Sequence, residues 1–119
     1  MNKIAIICKM NLIIESYKNV LNNLGYEDVL IFYDLSSAFP DKKEGVADLY
    51  IINNEGVNNI AIINFIKPVQ KELSNSKFLI LNDEQYNNFV PAQDLSNTYI
   101  ISKNINVDEF AETIKKLIK

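Results

Sequence analysis

The chain has no histidine, no tryptophan and no arginine. Without histidine there is no imidazole base, no phosphohistidine and no histidine metal ligand. Without arginine there is no bidentate fork for a phosphate and no arginine finger, and all 12 basic residues are lysine. The single cysteine, Cys8, excludes an internal disulfide and a multi-cysteine zinc site. A lone thiol suits a reducing compartment, and a cytoplasmic location is expected. The three glycines, at 25, 45 and 56, are too scattered for a dinucleotide-binding fingerprint. No apolar run approaches the roughly 20 residues of a membrane span. Met1-Asn2-Lys3 and the short apolar run after it lack the length and cleavage site of a signal peptide. A net charge of −3 without arginine speaks against direct nucleic-acid binding.

What is present is an ordinary globular composition over 119 residues, 48% hydrophobic and 23% charged. That length predicts one domain, 1–119, able to bury roughly two-thirds of its unfolded surface without a disulfide or a metal. Asparagine (17), isoleucine (18) and lysine (12) dominate the chain. This bias reads as codon usage in an AT-rich genome, so single asparagines carry little functional weight at this level.

Five short runs rich in β-branched residues punctuate the sequence: Ile4–Ile7, Val29–Tyr33, Leu49–Ile52, Phe78–Leu81 and Tyr99–Ile101. Continuous apolar runs of this length predict strands covered on both faces. Helical spacing lies between them. Ile13, Tyr17, Val20, Leu21 and Leu24 share one face, with Asn11 as the expected N-cap and Gly25 as the expected stop. Ile62, Ile66, Val69 and Leu73 predict a helix over about 59–74, with Pro68 either kinking it or opening a second short helix. Val107, Phe110, Ile114 and Leu117 form the last stripe, and Asn106 with Glu109 reads as a capping box. Residues 34–46, with Pro40 and Gly45, support at most a short irregular helix, and a short helical segment over 83–95 is broken by Pro91.

No hairpin dipeptide separates the strands, and the connections are long enough for crossovers. The pattern predicts a parallel sheet with helices on both faces. In such folds the working site lies at the carboxyl ends of the strands. Those ends carry Cys8-Lys9-Met10, Asn53-Asn54-Glu55, Asn82-Asp83 and Ser102-Lys103-Asn104.

Lys103-Asn104-Ile105-Asn106-Val107-Asp108-Glu109-Phe110 resembles the Lys-Pro segment that leads into the last helix of bacterial response-regulator receiver domains. Asp48–Asn53 resembles their third strand, and Asn11–Ser16 the start of their first helix. The resemblance spans the whole chain in order and spacing. It implies a three-layer, flavodoxin-like (βα)5 fold with strand order 2-1-3-4-5. It also implies a phosphoryl site in which two acidic residues and an aspartate hold magnesium, with a hydroxyl residue and a lysine on the phosphoryl oxygens.

Here the acidic pair falls on Cys8 and Lys9, the phosphoacceptor on Asn53 and the hydroxyl on Asn82; only Lys103 is kept. Gly56-Val57 stands where the family has Met-Pro, and its switch aromatic falls on Ile100, beside Tyr99. An amide is not the carboxylate nucleophile of an acyl phosphate. A lysine beside a divalent ion is repelled by about 4 kcal/mol per unit charge pair at about 4 Å and an effective dielectric of about 20, and by twice that for two charges. The expectation is a degenerate receiver: no enzyme, no cofactor, no metal. By resemblance, a protein partner or a second copy meets the last helix and fifth strand.

Blander readings accompany these positions. Lys103 can serve as a loop lysine donating to the carbonyl of Asn53. Lys9 can be a solvated loop residue, and Cys8 an inert small hydrophobe. Glu55 and Asp83 are the carboxylates nearest the site. Two alternative functions stand beside the main one. Cys8 after the first strand resembles the phosphorylated cysteine of the B component of sugar phosphotransferase systems, although Lys9–Ile14 lacks the glycine, serine and threonine such a phosphate loop needs. A small-ligand binder of flavodoxin-like fold is the other.

Overall fold

The four-residue run Ile4–Ile7 is buried at every position, which only a central strand with both faces covered allows. The computed structural model describes residues 2–40, 46–90 and 95–118. In chain order the elements are β1 (Ile4–Ile7), α1 (Asn11–Asn23), β2 (Val29–Phe32), a 3-10 turn (Ser36–Ala38), β3 (Leu49–Asn53), α2 (Asn59–Glu72), β4 (Lys77–Asn82), β5 (Thr98–Ser102) and α3 (Val107–Leu117). The five strands form one sheet in the order β2-β1-β3-β4-β5, every pair parallel. Topology and strand order are those expected from the sequence and its resemblance.

Alternate strand residues feed two cores. Ile4, Ile6, Ile51 and Leu79 point to the side covered by Leu21 of α1 and Ile114 of α3. Tyr50, Ile52, Phe78 and Ile80 point to the side covered by Ile62, Phe65 and Ile66 of α2. Tyr50 stacks on Phe78 at 5.3 Å, and Phe65 meets both rings edge-on.

The fold departs from five regular βα units. Among the described residues there are three α-helices. After β2 the described residues make the Ser36–Ala38 turn, whose Ala38 enters the α2-side core with Phe39 packed against it. After β4, residues 83–89 form a tight turn closed by an Asp83–Asn87 bridge rather than a short helix, and Phe89 enters the same core. Single apolar side chains delivered by loops thus replace two helical faces, as the missing 3.6-residue periodicity there requires. Gly45 and Pro91 lie outside the described residues.

Helix boundaries follow capping chemistry. Asn11 is the first helical residue of α1 and not its cap; Met10 caps it, without a side-chain hydrogen bond. The end of α1 is a Schellman motif. Tyr26 N–H donates to the Leu21 carbonyl (2.9 Å) and Gly25 N–H to Asn22 (3.0 Å), with Gly25 at φ +91°. Helix α2 continues through Pro68 instead of splitting there. Pro68 and Asn64, whose carbonyl has lost its donor, are both exposed, so water can serve that carbonyl. In α3 the capping box forms: Glu109 N–H donates to Asn106 Oδ1 (2.9 Å) and Asn106 Nδ2 donates back to Glu109 Oε1 (3.0 Å).

Nothing lies within 4 Å of a Cβ built on Gly25. Gly25→Ala therefore isolates the backbone strain of a left-handed residue. It is expected to lower stability by about 1–2 kcal/mol in urea denaturation, with an unchanged m-value.

Candidate functional site

Parallel pairing carries the four candidate segments to one end of the sheet and continues just past the strands. Cys8 N–H donates to the Phe32 carbonyl (3.0 Å), Asn54 N–H to Leu81 (3.2 Å) and Lys103 N–H to Asn82 (2.9 Å). Their backbones are thereby fixed before any side chain acts. The β3–α2 connection then turns at Asn54–Val57, closed by Val57 N–H to the Asn54 carbonyl (3.0 Å). Gly56, at φ +71°, supplies the positive φ this turn needs at its third position.

Asn53 is buried and held at both ends. Its Oδ1 accepts from Glu55 N–H (2.9 Å), and its Nδ2 donates to the Tyr17 hydroxyl of α1 (3.1 Å). A backbone N–H can only donate, so the amide orientation is fixed. Tyr17 packs against Phe110 of α3 with ring centroids 5.2 Å apart. Burial raises the Tyr17 phenol well above its ordinary value, more than the Asn53 hydrogen bond lowers it.

Asn54, 0% exposed, is the hub of the site. Its Oδ1 accepts from Asp83 N–H (2.7 Å). Its Nδ2 donates to Asn82 Oδ1 (3.0 Å) and to the Asn87 carbonyl (2.7 Å). Asn82 Oδ1 also takes Phe89 N–H (2.8 Å), and its Nδ2 donates to Asn88 (2.8 Å). Asn87 returns from the loop to the Asn54 (2.6 Å) and Val57 (2.5 Å) carbonyls, and Asn59 Nδ2 donates to the Asn88 carbonyl (3.0 Å). This ladder sews the loop after β3 to the loop after β4. Among the described residues no buried side-chain nitrogen or oxygen lacks a partner.

Lys103 does not donate to the Asn53 carbonyl. Its ammonium hydrogen-bonds Glu55 and stands 3.5 Å from Asp83. The Glu55 hydrogen bond raises the Lys103 pKa above its ordinary value; desolvation opposes it, and the Asp83 charge adds to the rise. Lys9 is exposed at the opposite lip. It adds slightly to the hydrogen bonds from Ser37 and Ser36 that hold the Asp34 carboxyl below its ordinary range. Cys8 is buried, its Sγ 3.8 Å from the Met10 carbonyl, and desolvation pushes its thiol up. Tyr99 is exposed on the edge strand, while Ile100 packs against the α2-side core.

The structure thus brings Asn53, Asn82 and Lys103 together with Glu55 and Asp83, and sets Cys8 and Lys9 at the neighbouring strand end. Among the described residues, no three of cysteine, aspartate and glutamate gather as metal ligands. Sequence reasoning placed Asn54 at a strand end but gave it no role, missed Asn87 and Asn88, and read Tyr17 only as core. The available signal was three of the chain's four asparagine doublets, 53-54, 58-59 and 87-88, which fall at or just past the ends of β3 and β4. Compositional bias hid it.

No known family profile matches the sequence. No curated protein matches it either. Solved structures do share the fold. The receiver domain of the hybrid histidine kinase CckA is similar at a TM-score of 0.74 and 17% identity, over 98% of this chain and 99% of that one. A response regulator receiver domain protein of Bacillus halodurans C-125, bh3024, is similar at 0.75 and 14% identity, over 99% and 97%. The CheY-like protein TadZ of Pseudomonas aeruginosa PAO1 is similar at 0.75 and 10% identity, over 98% and 99%. At these identities the likeness is one of fold: this chain has a receiver-like fold.

Removing the hub strands several buried groups at once. Asn54→Ala leaves Asp83 N–H and the Asn87 carbonyl without a partner and is expected to cost about 2–4 kcal/mol in chemical denaturation. The same substitution at exposed Asn104 should cost under about 0.5 kcal/mol. Alkaline pH gives a second check. Cys8, Tyr17, Tyr50 and Lys103 all have raised pKa values in the folded chain, so the folded state keeps protons that the unfolded chain releases. This stabilisation is complete below the ordinary thiol value of 9.0 and is lost as pH rises through the folded values. Thermal midpoints measured from pH 7 to pH 11 should be flat at first, then fall, with no rise at the alkaline end.

Proposed function

We propose that this chain is a signalling domain of receiver-like fold that works through protein contacts, without magnesium and without aspartyl phosphorylation. One observation carries the reading. At the phosphoacceptor position stands Asn53, an amide whose two polar atoms are already engaged by Glu55 N–H and Tyr17. Such an amide offers no carboxylate to a phosphodonor. Two further features support it. The ammonium that would meet a phosphoryl group is engaged by Glu55 and Asp83. The position of the metal's acidic ligands holds a buried thiol and an exposed lysine, Cys8 and Lys9.

The partner surface in this reading is α3 with the edge strand β5. Along α3 the acids Asp108, Glu109 and Glu112 precede Lys115 and Lys116, and Tyr99 of β5 is exposed. An antiparallel second copy would set acid against base along this helix. The domain acts in the cytoplasm, where a single unpaired thiol stays reduced. It is not an enzyme in this reading. A phosphocysteine role for Cys8 is disfavoured by the burial that raises its thiol. No helix among the described residues is long and apolar enough to cross a membrane.

Incubation with acetyl phosphate and magnesium chloride followed by intact-mass spectrometry tests the reading. The mass is expected to stay unchanged, whereas a stoichiometric gain of about 80 Da, one phosphoryl group, would refute it.

A further inference from the structure

Among the described residues seven large apolar side chains stand exposed, and five of them lie at one end of the molecule: Leu12, Tyr33, Ile60, Tyr86 and Val107. Each sits just past a strand or in the first turn of a helix, and parallel βα connections bring those points to the same face. Exposed apolar side chains gathered on one face mark a contact surface. A groove of about 430 Å³ opens there between α1 and α3. Ile13 and Tyr17 form one wall, Val107 and Phe110 the other, and Leu81 lies between them. Leu12, 87% exposed, and Val107, 60% exposed, carry the apolar surface out over its two lips.

Inside the groove charge is balanced, Glu55 against Lys103. Around it the balance is acidic. Lys18 pairs with Glu15, and Lys9 acts on Asp34. That leaves Glu84, Asp108 and Glu109, all exposed, without a basic partner among the described residues. Asp108 and Glu109 follow Val107 directly, in the first turn of α3. The three helix N-termini at this face add about half a positive charge each, which reduces the surplus without cancelling it. The backbone of the face is already engaged. The N–H groups of Cys8, Asn54 and Lys103 pair with neighbouring strands, so an extended partner meets no open strand edge there. A helix brings its own backbone hydrogen bonds. A second copy does not supply it, because α1, α2 and α3 turn their apolar stripes into the two cores. Anionic lipid and nucleic acid are repelled by the acids.

We propose that this face docks a basic amphipathic helix of another protein, its apolar stripe seated in the α1–α3 groove and its flanking lysines or arginines against Asp108 and Glu109. Apolar anchors spaced as on one helix face fit a groove walled by two helices, and the rim selects the sign of the flanks. The inference rests on the reading of this chain as a protein-contact domain and places a contact beyond the α3–β5 surface named there. It does not depend on the absence of phosphorylation, so the mass measurement and the test below fail independently.

The test is a titration of the ¹⁵N-labelled full chain with a synthetic helix of about 18 residues, leucine along one stripe and lysine beside it, followed by amide shifts. Saturable shifts are expected at Leu12, Ser16, Asn104 and Val107, with affinity falling as salt is added. A peptide with glutamate in place of lysine, and one of the same composition with the stripe scrambled, should each bind at least about tenfold more weakly. Leu12→Ser, at an exposed position, should weaken binding by about fivefold or more in a chain whose spectrum elsewhere is unchanged. Asp108→Asn with Glu109→Gln, which keeps a capping side chain, should weaken it by about the same factor and flatten the salt dependence. The proposal is overturned by no saturable shift up to roughly 1 mM peptide, by equal binding of the scrambled or glutamate peptide, by undiminished binding to a folded Leu12→Ser variant, or by shifts that map to another face. Self-association of the free chain through this face, seen in sedimentation, would also overturn it.

Discussion

A polar side chain buried at the end of a parallel strand must find partners inside the protein, because water cannot reach it. Asn54 meets that constraint with three hydrogen bonds: its Oδ1 accepts from Asp83 N–H, and its Nδ2 donates to Asn82 and Asn87. The loop after β4 has its conformation because Asn54 holds it, and Phe89 reaches the α2-side core because Asn82 fixes its N–H. The want of a helix in the described residues just after β4 is tolerable for the same reason. The polar ladder orders the backbone that regular secondary structure would otherwise have ordered.

Beside this neutral ladder stands a small charged cluster. Lys103 lies between Glu55 and Asp83, and its ammonium is stabilised by both. The two assemblies share a consequence. The side chains of Asn53, Asn54, Asn82 and Lys103 are each engaged with another part of the chain. Tyr17 extends the linkage outward, tying β3 through Asn53 to α1 and through its ring to Phe110 of α3. A site assembled in this way resists rearrangement. The proposed function follows this: a domain that presents a fixed surface rather than one that toggles on a phosphoryl group.

Much of this was legible in the sequence, and the reasons are specific. Five β-branched runs and the stripes through Leu21, Ile66 and Ile114 give sheet, direction and cores, because burial on both faces leaves a signal at every position. Gly25 and the Asn106–Glu109 pair mark helix ends, because capping needs particular side chains at fixed offsets. Asn11 was off by one residue because α1 starts without a side-chain cap. Pro68 looked like a break because the rule against helical proline assumes a buried vacancy, and here it is exposed. The site positions themselves, Asn53, Asn82 and Lys103, follow from strand ends alone. Their partners do not. Which of 17 asparagines meet is a matter of sequence separations of 28 and 33 residues closed by the fold.

The central claim is that the strand-end site is satisfied from within and has no vacancy for a divalent cation. A magnesium titration followed by the amide resonances of Asn53, Asn54, Asp83 and Lys103 tests it most directly. The account predicts no saturable shift at these four amides up to roughly 20 mM magnesium. A saturable shift at Asn53 and Asp83 in the low-millimolar range, lost in an Asp83→Asn variant, would contradict it.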